Sequence, residues 1–132
     1  MGMNLPLVLD TNAYSDFARD IKWQTTITNA RRIFLPLIAI AELRAGFRNG
    51  SQFQKNETDL QMFLSQGNVN LLIPDLQTTF HYSVLFLELK KQGIHIPQND
   101  IWIAALAIQH NLWLCTSDAH FDHIPQLLRA AP

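Results

Sequence analysis

Asp10, Glu42, Asp100 and Asp118 are the residues whose type and spacing can assemble chemistry. Asp10 closes the apolar run Leu5–Asp10, and Asp118 lies just past a second run, Leu112–Thr116. Asp100 opens the helix that precedes this second run. A helix of about ten residues descends about 15 Å and a strand of roughly five climbs back about 16 Å, so the chain returns Asp118 to the level of Asp100. Glu42 lies roughly 9 Å along a helix that starts near Pro36 at the same edge. Taken singly, each acid has an ordinary structural reading. Asp10 and Asn12 suit a turn or helix cap, Asn99 or Asp100 could cap the helix after Pro97, and Thr116-Ser117-Asp118 could be a capping turn. Glu42 could pair with Arg44 or Arg48. Together they differ, because like charges held close raise one another's pKa and destabilise a fold unless something compensates. An oxygen-preferring divalent cation, Mg²⁺ or Mn²⁺, is the common compensation for a site of carboxylates and water.

The elements that must position these acids follow from apolar patterning. Leu5–Asp10, Ile33-Phe34-Leu35, Leu71-Leu72-Ile73 and Leu112–Thr116 read as short buried strands. Helices are expected around Trp23–Arg31, from Pro36 to about Phe47 with Gly46 and Gly50 near its end, around Leu60-Phe63-Leu64, and from Leu76 to near Gly93. Leu76, Phe80, Val84 and Leu87 would be the inward stripe of this long helix. Ile101, Ala104, Ala105 and Ile108 mark a further helix after the Pro97 loop. Strands alternating with helices predict the α/β class: a three-layer α/β/α sandwich with a central, mainly parallel sheet. Such folds place their sites beyond the carboxyl ends of the strands. No repeat, low-complexity tract or linker is visible, and residues 1–132 read as one domain.

Composition sets the outer bounds. Hydrophobic residues make up 48% and charged residues 16% of 132 residues, which excludes a disordered tail. The longest apolar run, Ile33–Ala41, contains Pro36 and is too short to span a bilayer. Asn4, Pro6 and Asp10 interrupt the N-terminus where the apolar stretch of a leader would run. The single cysteine, Cys115, fits a reducing compartment, so the cytoplasm is expected. The net charge of −1 argues against nucleic acid until it is resolved by position. Residues 19–55 carry seven bases and two acids, and residues 56–132 carry three bases and seven acids. Setting aside the four clustered acids leaves ten bases against seven acids, a mildly basic surface. Arg31, Arg32, Arg44 and Arg48 of the basic segment are the expected phosphate contacts.

In order, Val8-Leu9-Asp10-Thr11-Asn12, then Ala39-Ile40-Ala41-Glu42-Leu43-Arg44-Ala45-Gly46, then Asn99-Asp100-Ile101-Trp102-Ile103-Ala104-Ala105, then Thr116-Ser117-Asp118-Ala119-His120-Phe121 resemble the motifs of a PIN domain. More narrowly, the set resembles the VapC toxins of bacterial and archaeal toxin–antitoxin modules, over essentially the whole chain. The resemblance implies a metal-dependent endoribonuclease that hydrolyses RNA phosphodiester bonds with one or two Mg²⁺ or Mn²⁺ ions. Asp10 and Asp100 match its principal metal ligands, and Asp118 one that ligates directly or through water. Glu42 matches the group that completes the cluster and could orient or deprotonate the nucleophilic water. Thr11, Asn12, Thr116 and Ser117 match the polar residues that hold the carboxylates. His120 stands where many relatives carry a second acid, and Asp122, two residues later, is a partial replacement. A homodimer is implied too, along with a small antitoxin protein whose C-terminal segment covers the cleft, gripped by the apolar helices around 37–64.

The remaining candidates have plainer readings. His120 and His123 read as an exposed loop pair, and His81, His95 and His110 lack evident partners. Cys115 reads as a small core residue. Trp23, Trp102 and Trp113 suit the core or an interface, with Trp102 the nearest of them to the cleft. Two rival classes are distinguishable. An α/β phosphatase or phosphotransferase with Asp10 as nucleophile would need an acid where Asn12 stands, or a lysine after the last strand, and none occurs beyond Lys91. A non-catalytic PIN-like interaction module would have no use for the intact quartet.

Overall fold

Leu7 and Leu9 pack into one apolar core and Val8 into another, the period-two alternation of a strand covered on both faces. In the computed structural model, which describes residues 5–132, they form β1 (Leu7–Leu9). Residues 1–4, part of the stretch on which the leader expectation rests, lie outside the described ones. The other strands are β2 (Ile33–Pro36), β3 (Val69–Leu72), β4 (Trp113–Cys115) and β5 (Leu128–Arg129). They pair in the order β3-β2-β1-β4-β5, and every pairing is parallel. Leu7 is level with Ile33 on one side and Trp113 on the other, so β1, β2 and β4 end together at one carboxyl edge.

Helices α1 (Thr11–Ala18), α2 (Gln24–Thr28), α3 (Leu37–Arg48) and α4 (Phe53–Leu64) pack with Leu7, Leu9, Ile33 and Leu35 on one face. Helices α5 (Leu76–Lys91) and α6 (Gln98–Gln109) pack with Val8, Leu72 and Leu114 on the other. The three-layer α/β/α sandwich predicted from alternation is the fold observed. Helix α6 is buried over most of its circumference, with Ile103, Ala104, Ala105 and Leu106 at 0% exposure. Its alanines let it seat closely, and Leu106→Ala would cost about 2–5 kcal/mol by opening a cavity.

Several elements differ from expectation. Of the two readings of Asp10, helix cap holds and turn does not: its carboxylate accepts from Ala13 N at 2.8 Å and caps α1, a helix not expected there. Helix α2 is shorter than the 23–31 span expected. β3 begins earlier than expected, burying Val69 and Leu72 while leaving Leu71 and Ile73 exposed. The parallel edge strand β5 and the 3₁₀ turn Ala119–His123 were not anticipated. Most telling, α5 is rotated. Leu76, Phe80, Val84 and Leu87, expected inward, are 82%, 61%, 41% and 50% exposed. Thr78, Leu85 and Leu89 face the core instead. The rotation is set by hydrogen bonds: Asp75 and Thr78 form a capping box, and Thr78 Oγ1 donates to Gln109 Oε1 of α6 at 2.5 Å.

Candidate active site

Asp10 is the buried anchor of the carboxyl edge, only 3% exposed. It ends β1 and caps α1, which aims its carboxylate at the end of β4. Its Oδ2 accepts from Thr116 Oγ1 at 2.5 Å, and the same hydroxyl accepts from Asp118 N at 2.9 Å. One threonine thus ties together the two acids that follow neighbouring strands. Burial pushes the Asp10 carboxyl up from 3.8 to about 6. The hydrogen bonds from Thr116 and Ala13 oppose that rise, and the neighbouring charges of Asp100 and Asp118 add to it.

Asp100 sits in the first turn of α6, where the helix dipole favours an acid. Its carboxyl is also raised, chiefly by burial and further by Asp118 and Glu42, while a hydrogen bond from His120 opposes this. Glu42, midway along α3, is held from two sides. Thr11 Oγ1 donates to its Oε1 at 2.6 Å and Asn99 Nδ2 to its Oε2 at 3.1 Å. Asp118 caps the 3₁₀ turn by accepting from His120 N at 2.9 Å. The acids therefore come together from α1, α3, α6 and the 3₁₀ turn, each already braced by a neighbour.

The structure disposes of the other expected site residues differently. Thr11 and Thr116 brace carboxylates. Asn12 is exposed and makes no side-chain hydrogen bond to the acids among the described residues. Ser117 accepts from Lys22 Nζ at 2.6 Å rather than supporting an acid. Asp122 is turned away, 64% exposed on its side chain and paired with Arg129 at 3.0 Å, because β5 brings that arginine alongside. His120, expected in an exposed loop pair, is drawn into the cluster by the 3₁₀ turn: its Nδ1 lies 3.0 Å from Asp100 Oδ2 and 3.1 Å from Asp118 Oδ1. Trp102 packs on Tyr82, ring centroids 4.5 Å apart, which accounts for it without a part in the cleft. Burial pushes the Cys115 thiol up to about 12, so it stays a neutral core group.

The four expected phosphate contacts are poorly placed. Arg31 and Arg32 precede β2 and so stand at the amino edge, roughly 13 Å of strand from the acids. Arg32 lies over the Phe34 ring and Arg48 over the Phe53 ring. Arg44 is committed to Glu57 at 2.7 Å. Other bases of the same 19–55 segment, passed over in favour of the arginines, stand nearer: Lys22 beside Ser117, and Arg19 and Lys55 along a groove that begins at Thr11 and Glu42. Lys22 is presented by a constrained loop in which Asp20 and Trp23 have φ of 58° and 76°, and Trp23 is a buried anchor. The groove has a volume of about 670 Å³ and runs between α1, α3 and α4, with Tyr14, Leu43 and Phe47 as apolar lining. Asn99 was also missed as a brace for Glu42, although it adjoins Asp100 in sequence.

Known proteins resemble this chain over most of its length. The family model for the PIN domain matches residues 7–127. Ribonuclease VapC2 of Rickettsia felis is 33% identical over 97 residues, covering 73% of this chain and 71% of that protein. Among solved structures, a chain of VapBC2 from Rickettsia felis, bound to a DNA fragment from its promoter, superposes with a TM-score of 0.82 at 27% identity, over 96% of this chain and 98% of that one. A chain of VapBC-1 from nontypeable Haemophilus influenzae superposes with a TM-score of 0.83 at 26% identity, over 96% and 97%.

Proposed function

This chain belongs to the PIN domain family, and from that premise we propose that it is a metal-dependent endoribonuclease, the toxin of a toxin–antitoxin pair, acting as a single domain in the cytoplasm. The observation that carries the reading is the meeting of Asp10, Glu42, Asp100 and Asp118 at one sheet edge, with raised carboxyls at Asp10 and Asp100. The donor set fits a divalent cation, Mg²⁺ or Mn²⁺: Asp100, Asp118 and His120 each offer a ligand atom within 4.8 Å of the others. Asp10, tied to Asp118 through Thr116, and Glu42, tied to Asn99 beside Asp100, lie outside that group of three and would complete the donor set around it. When bound, the ion supplies positive charge for the phosphoryl oxygens and lowers the pKa of water.

The chain's own groups do the rest. Thr116 fixes Asp10 and Asp118 in register, while Thr11 and Asn99 point Glu42 into the cleft, where it orients water or accepts its proton. Lys22 is the phosphate contact, replacing the arginines named above, and Arg19 and Lys55 extend the positive approach. The groove along α1, α3 and α4 suits the C-terminal segment of an antitoxin, because it opens onto Glu42 and offers apolar and polar lining together. The uncovered row on α5 supports a homodimer, its cover being a second copy of the chain.

Sequencing the RNA ends that accumulate on induced expression tests this. Asparagine keeps the helix cap at position 10 and removes the charge. Discrete new ends with the wild type and none with Asp10→Asn are expected, and identical ends from both proteins would overturn the reading.

A further inference from the structure

His120 is the one nitrogen donor among the acids at the carboxyl edge, and the structure gives that a consequence. The side chain is 45% exposed, so it is no core filler. Its Nδ1 faces carboxylate oxygens of Asp100 at 3.0 Å and Asp118 at 3.1 Å. Donor atoms at right angles around an ion with bonds of about 2.1 Å lie about 3.0 Å apart, so this nitrogen stands at the spacing of an adjacent ligand. The backbone holds it there. His120 N donates to Asp118 Oδ1 at 2.9 Å, folding the ring back over the acid that caps its own turn. Asp122 brings no further oxygen to this point, because it is paired outward with Arg129.

We propose that His120 is a metal ligand that converts an all-oxygen acid site into a mixed nitrogen–oxygen site selecting Mn²⁺ over Mg²⁺. The proposal rests on the metal-dependent reading above. Its chemistry follows from donor preference: Mg²⁺ favours oxygen and keeps its waters, whereas transition ions accept an imidazole nitrogen readily. The bland alternative is that the ring merely shields the two acids by hydrogen bonding and is displaced when an ion enters.

The experiment uses metal-stripped full chain, as wild type, His120→Asp and His120→Asn, titrated calorimetrically with Mn²⁺ and with Mg²⁺. Electron spin-echo spectra are then recorded on each Mn²⁺-loaded protein. We expect imidazole-nitrogen modulation in the wild type and its loss in both variants. The preference for Mn²⁺ over Mg²⁺ should narrow about tenfold in His120→Asp, which restores an oxygen donor. Mn²⁺ bound without nitrogen modulation, or a preference unchanged by His120→Asp, would make the ring a shield only and overturn the proposal. Should neither ion bind the wild type, the metal-dependent reading itself falls. Should the variants not fold, the wild-type spectrum alone decides.

Discussion

The carboxyl edge of the sheet and the outer face of α5 both hold arrangements that cost stability in the isolated chain, and they differ in what would offset that cost. At the edge, Asp10 is buried and Asp100 is largely so among other acids, and burial raises their carboxyls. On α5, Leu76, Phe80, Val84 and Leu87 stand in water. The first cost is charge and needs a cation. The second is apolar area and needs another surface. The edge is also rigidly specified, with every acid braced by a named hydrogen bond, whereas the α5 row is specified only by the rotation that Thr78 and Gln109 impose. A site that performs chemistry must fix its atoms, and a face that associates need only present area.

Four measurements can break or sharpen that contrast, beginning with the largest effect. A carboxyl raised from 3.8 to about 6 binds its proton more tightly in the folded than in the unfolded chain. Metal-free stability should therefore fall as pH rises through that window, by about 3 kcal/mol from Asp10, and level off above it. Urea unfolding across pH 4–7 checks this, and Asp10→Asn should flatten the slope. A saturating ion at a hundredfold excess over its Kd returns about 2.7 kcal/mol, nearly the same amount. Thr116→Val removes the hydroxyl that registers Asp10 with Asp118, and metal affinity by calorimetry should fall about 10- to 100-fold. Lys22→Ala should raise KM for RNA about tenfold and flatten the salt dependence of binding, with a smaller effect on kcat. Phe80→Glu combined with Leu87→Glu should shift the chain to monomer in light scattering while leaving cleavage per protomer unchanged. If those α5 changes abolished cleavage, the two regions would not be independent.

The same contrast explains what the sequence made legible. The order of β1 to β4, the three layers and the level of all four acids follow from apolar runs and rise per residue, quantities that local patterning carries, whereas α1 and β5 left no such signal. The rotation of α5 does not, because the helix is apolar on more than one side and a long-range hydrogen bond from Thr78 to Gln109 chooses between them. His120 was misread for a related reason: its position depends on a 3₁₀ turn too short to leave a periodic signal. Lys22 and Arg31 belong to one basic segment, yet two loop residues with positive φ and the direction of β2 send them to opposite edges. Charge counting finds such a segment but not where its bases point. Asp122 was lost to a two-residue edge strand that no pattern announced.

The most direct test of the carboxyl edge is cleavage of a defined RNA by purified, antitoxin-free, metal-stripped protein, with Mn²⁺ or Mg²⁺ added back, comparing wild type with Asp10→Asn. No cleavage without metal, restoration on adding it, and a rate on the order of a thousandfold lower in Asp10→Asn are predicted. Cleavage that persists in EDTA, or that proceeds equally in Asp10→Asn, would contradict the account.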